Sequence, residues 1–99
     1  MHILTWLEQW YHNNCNGDWE HSGIIKIKTL DNPGWQIKID LTDTRFSSQD
    51  IGYNLVERSS ADWYGIKIEG NVFHAAGDSH KLLFLLERFK ELIQQRVPE

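Results

Sequence analysis

The chain has 99 residues, 40% of them hydrophobic and 24% charged, with five tryptophans and a formal net charge of −4. That is the make-up of one globular domain, expected over 1–99, with room for one core but scarcely for a deep cofactor cleft beside it. The acidic balance counts against nucleic acid as a direct ligand, because binding phosphates needs a surplus of Lys and Arg. One cysteine, Cys15, excludes an internal disulfide and suits a reducing cytoplasm. No apolar run approaches membrane-spanning length, and residues 1–11 lack the basic stretch and apolar core of a secretion signal.

Residues 2–13 read as a helix: Ile3, Leu4, Trp6, Leu7, Trp10 and Tyr11 fall within an arc of about 160° at helical pitch. Asn13, Asn14, Asn16 and Gly17 stop it. Residues 24–30 then alternate, with Ile25, Ile27 and Thr29 on one side and Lys26 and Lys28 on the other. Residues 35–41 do the same, setting Trp35, Ile37, Ile39 and Leu41 against Gln36, Lys38 and Asp40. Asn32-Pro33-Gly34 between them predicts a type II turn, so the two runs form an antiparallel hairpin. Residues 42–52 read as loop, 53–58 as a third strand of ambiguous face, 63–69 as a fourth and 72–76 as a fifth. Gly70-Asn71 marks a tight turn between the last two. Gly77 is expected to end the sheet and Asp78 to cap a helix running to about Gln95. In that helix Leu82, Leu85, Leu86, Phe89, Leu92, Ile93 and Val97 share one face, and Leu83 and Phe84 fall outside it. The expected fold is a two-layer α+β domain: an antiparallel meander of about five strands with N- and C-terminal helices packed on one face. The other face would stay bare and show Lys26, Lys28, Gln36, Lys38, Asp40, Trp63, Lys67 and Glu69.

Catalytic signatures are missing from the sequence. The seven glycines never fall as GxGxxG or a Walker loop, and GxSxG and HExxH do not occur. No Lys has an acid two residues before it, as a restriction-type nuclease strand would require. A Cys15–His21 or Cys15–His74 nucleophile pair is weakly motivated, because a lone Cys at a helix end is commonly structural. The densest polar cluster is Asp18-Trp19-Glu20-His21, which has two readings. As a metal site for a small hydrolase it would use Asp18, Glu20 and His21; as a structural segment it is an acidic turn entering the first strand. No helical spacing forces those side chains to converge, so the structural reading is preferred. What remains is surface for binding, with Trp19, Trp63 and Phe84 as spare aromatics and acidic loops able to steer a basic partner. The residues expected at the contact are Asp18, Trp19, Glu20, His21, Asp40, Trp63, Lys67 and Glu69. A second copy of the chain is a further candidate for the bare face.

The run Cys15-Asn16-Gly17-Asp18-Trp19-Glu20-His21, followed by Thr29-Leu30-Asp31-Asn32-Pro33-Gly34-Trp35, resembles the immunity protein 53 family of bacterial polymorphic toxin systems. Lys38-Ile39-Asp40-Leu41 with Thr44, then Asp62-Trp63, Phe73, Gly77-Asp78 and the Leu-rich last helix extend the resemblance over nearly the whole chain. The resemblance implies a cytoplasmic antidote that binds a cognate toxin domain and blocks it, with no enzymatic activity and no cofactor. It does not specify the toxin's chemistry.

Overall fold

The computed structural model describes residues 2–22, 24–42, 44 and 50–96. The elements are α1 (Ile3–Asn14), a short 3-10 turn η1 (Trp19–Ser22), β1 (Ile25–Leu30), β2 (Gly34–Asp40), β3 (Ile51–Ser59), β4 (Asp62–Glu69), β5 (Val72–Asp78) and α2 (Leu82–Arg96). All four strand pairings are antiparallel. Both helices contribute side chains to the core on one face of the sheet. The α+β class is therefore as the periodicity predicts.

The strand order is β1-β2-β5-β4-β3. This corrects the expected simple meander: β3, β4 and β5 form a meander, but β2 pairs with β5, and β3 lies at the far edge. β5 supplies the reason. Its Phe73 and Ala75 are buried between Ile39 and Ile37 of β2 and Ile68 and Ile66 of β4. A strand so apolar on its inner face gains most by sitting in the centre. β3 has a mostly exposed pattern and suits an edge.

Above that inner face lie Ile3 and Leu7 of α1 and Leu85, Leu86 and Phe89 of α2. Phe89 gathers the aromatics. Its ring centroid is 5.0 Å from Trp10, 6.0 Å from Trp6 and 4.9 Å from Phe73, in edge-on or tilted arrangements that aromatic quadrupoles favour. Phe84 is not a free aromatic: it packs edge-on against Tyr64 at 4.6 Å. Leu83 does stay exposed. Val97, and Asp43 of the acidic loops, lie outside the described residues.

Three turn readings are refined by the backbone. The β1–β2 loop is Asp31-Asn32-Pro33, and Gly34 is already the first residue of β2, paired with Leu30. Gly34 does not have the positive φ that the third position of a type II turn demands. It is glycine for space, since a Cβ there would collide with the Gly77 carbonyl oxygen of β5. Gly70 and Asn71 both have positive φ, 59° and 63°, and close the β4–β5 hairpin as expected. Gly77 does not end the sheet; β5 runs through Asp78. Asp78 is accordingly four residues ahead of α2 and does not cap it.

Candidate functional site

The segment Cys15–Ser22 bonds largely to itself. Asn16 Oδ1 accepts the backbone N–H groups of Asp18 and Trp19, both at 2.9 Å. Glu20 reaches back, its two carboxylate oxygens accepting from Asn16 N at 2.9 Å and Gly17 N at 2.8 Å. This reciprocity resembles a helix capping box, in which a small polar residue and a later Glu satisfy each other's backbone donors. Gly17, at φ 95°, permits the reversal. The N–H of Glu20 itself, then that of Asn16, hold its carboxyl below the usual range.

Trp19 was expected at a surface contact; the structure buries it to 6% exposure. Its indole packs against Trp10 at 5.6 Å and Tyr11 at 5.7 Å, and its ring N–H donates to the Asp40 carbonyl at 3.3 Å. A tryptophan with its ring inside and its one donor satisfied is occupied as core. Asp18 and His21 remain exposed on the outside of this loop. Cys15 takes the C-cap position of α1, and its thiol donates to the Tyr11 carbonyl at 3.2 Å. His74 sits on the sheet face away from the helices and so does not approach it. Among the described residues, no group of three or more His, Cys, Asp and Glu could hold a metal ion.

At the opposite end of the sheet, Asp78 is a buried carboxylate, 3% exposed. It accepts from Trp63 N and His80 N, each at 2.9 Å, and from Lys81 Nζ at 2.7 Å. Lys81 also reaches Asp62 at 2.8 Å. The Lys81 hydrogen bond leads the causes that lower the Asp78 pKa to about 2, against the opposing effect of burial. Asp62 and then Asp78 raise that of Lys81 in return. This cluster ties β4, β5 and the approach to α2 together. Trp35 adds a further tie, donating its ring N–H to the Ser79 carbonyl at 3.1 Å.

The helix-free face of the sheet carries the remaining candidates. Strand parity places Gln36, Lys38 and Asp40 of β2, His74 and Ala76 of β5, and Trp63, Lys67 and Glu69 of β4 there. Asp40 spends one oxygen on the Thr42 N–H at 2.9 Å. Trp63 lies flat enough that its Cζ2 is 3.5 Å from where a Cβ on Gly34 would stand, so the indole spans the β5 strand between them. Lys67 pairs with Glu69 at 3.1 Å. Tyr53 and Leu55 of β3, 64% and 50% exposed, join this face. A Cβ on Gly65 would meet the Tyr53 hydroxyl at 2.7 Å, and Leu55 pairs with Gly65. Their side of the sheet was not readable from sequence, because β3 has register shifts on either side of 54–57.

The eight expected contact residues thus fall into two groups: Asp18 to His21 on the loop after α1, and Asp40, Trp63, Lys67 and Glu69 on the bare face. Together these features define a small two-layer α+β domain that leaves one side of its sheet uncovered by either helix. The chain belongs to the immunity protein 53 family, whose model matches residues 4–94 and so spans every strand and nearly all of both helices. No curated protein and no solved structure matches it. No helix among the described residues is long and apolar enough to cross a membrane.

Proposed function

We propose that this immunity protein acts in the cytoplasm, binding a cognate bacterial toxin domain stoichiometrically and blocking it. The observation that carries the reading is family membership over residues 4–94. The fold is in keeping with it: small, with one sheet face that neither helix covers. The reading assigns the chain no catalytic step and no cofactor. Of the expected contact residues, Asp40, Trp63, Lys67 and Glu69 are the primary candidates because they share that face. Asp18 and His21 are secondary, as exposed positions on the neighbouring loop. Trp19 and Glu20 support the contact only indirectly, by holding that loop. Calorimetric titration of the purified chain into the toxin domain encoded beside its gene tests the reading. One chain per toxin domain, with loss of toxin activity at equivalence, is the expected result. Absence of heat and of inhibition, with both proteins folded, defeats it.

A further inference from the structure

Strand register sets four basic side chains in a line on the bare face. Lys26 of β1 lies opposite Lys38 of β2, Lys38 opposite His74 of β5, and His74 opposite Lys67 of β4. Adjacent strands are about 4.8 Å apart, so the row crosses roughly 14 Å of sheet. Like charges directly opposite each other on a sheet are destabilising. Among the described residues, Lys67 is the one member of the row that pairs with an acid, through the half-exposed contact to Glu69. Lys28 stands beside the row on β1. Four of the six lysines (all but Lys81 and Lys90) therefore collect on one face of a chain whose net charge is −4. The His74 pKa is lowered, by burial first and then by Lys67 and Lys38, with Glu69 opposing.

The row lies on the face that neither helix covers. Beside it, Tyr53 and Leu55 present exposed apolar surface over the small residues Gly65 and Ala76. Apolar side chains next to a charged strip are the anatomy of a protein-binding patch. We infer that the row Lys26-Lys38-His74-Lys67, flanked by Tyr53 and Leu55, docks an acidic surface of the toxin domain. This rests on the immunity reading above and specifies its partner surface. It also reverses the sequence-based expectation that acidic loops steer a basic partner.

Two other occupants fit less well. A second copy of the chain would bring the same cations face to face. A nucleic acid strand would find only two or three phosphates' length of contact, no arginine in the row, and Asp40, Glu57 and Glu69 on its margins.

The test is the double variant Lys26→Glu/Lys38→Glu, titrated against the neighbouring toxin domain at low and high salt beside the wild type. Wild-type binding should weaken as salt rises. The variant should bind about 100-fold more weakly and show a flattened or inverted salt dependence, since like-charge juxtaposition at an interface is strongly unfavourable. Its melting temperature should stay close to the wild type's, because Lys26 and Lys38 are exposed partners and the double reversal exchanges one like-charge pair for another. That separates lost docking from lost folding. A stably folded variant with unchanged affinity and salt slope overturns the docking surface and leaves the immunity reading standing. A wild-type chain that binds no toxin domain overturns both. Wild-type binding to a labelled single-stranded DNA that the variant abolishes, or a wild-type dimer that the variant dissolves, overturns the assignment of the row to the toxin.

Discussion

Replacing Asp78 by asparagine keeps the side chain's shape and removes its charge. In the wild type this carboxylate is 3% exposed and accepts three hydrogen bonds, from Trp63, His80 and Lys81. Folding lowers its pKa from 3.8 to about 2. At roughly 1.4 kcal/mol per pH unit, that depression stabilises the native state by about 2 kcal/mol once both folded and unfolded forms are ionised. Asparagine loses this and turns an amide N–H toward one of the same donors, so Asp78→Asn should cost about 2–3 kcal/mol near neutrality. For a domain of this size that is a fall of roughly 10–20 °C in melting temperature. The sign of the pH dependence follows from the depressed pKa. The stabilisation is complete above the unfolded value of 3.8 and disappears as pH falls through about 2. Urea unfolding followed by tryptophan fluorescence, at neutral pH and at steps below about pH 4, should show a wide gap between wild type and variant that closes in acid. Equal stability at neutral pH, or a gap that persists through the acid range, would refute the role given to this carboxylate.

Other substitutions test the packing and the loop. Gly34→Ala pushes a methyl into the Gly77 carbonyl and should destabilise by about 2–3 kcal/mol in chemical denaturation. Gly65→Ala meets only the end of the exposed Tyr53 side chain and should cost under about 1 kcal/mol by the same assay. Trp19→Ala empties a site bounded by Trp10 and Tyr11 and should cost about 3–5 kcal/mol, with Trp19→Phe recovering much of it. Glu20→Ala should accelerate hydrogen exchange of the Asn16 and Gly17 amides it holds, leaving exchange in the central strand β5 unchanged.

Much of the sheet was legible because alternation has a period of two and survives in a single sequence. Ile37 and Ile39 are fully buried while Lys38 is exposed, as their order alone implies. The pairing of β2 with β5 was not legible, since it joins strands distant in sequence and is settled by which inner faces are most apolar. Gly77 and Asp78 were misread for the same reason. Locally they look like a breaker and a cap; in the fold, Gly77 makes room for Lys81 and Leu85 against the sheet, and Asp78 answers donors on β4 and after β5. The Asp18–His21 run looked like a binding cluster because its residues are conspicuous. The spacing of Asn16 and Glu20, close to that of a capping box, was the available sign that the loop bonds to itself. The basic row needed the register: alternation puts Lys26, Lys38 and Lys67 on one face, but only the strand order brings them into line with His74.

Co-expression of this chain with its neighbouring toxin domain, scoring survival and co-purification together, tests the central claim most directly. The account predicts that cells survive and yield a complex of one chain per toxin domain. Cells that die despite a folded, abundant chain, with no complex recovered, would contradict it.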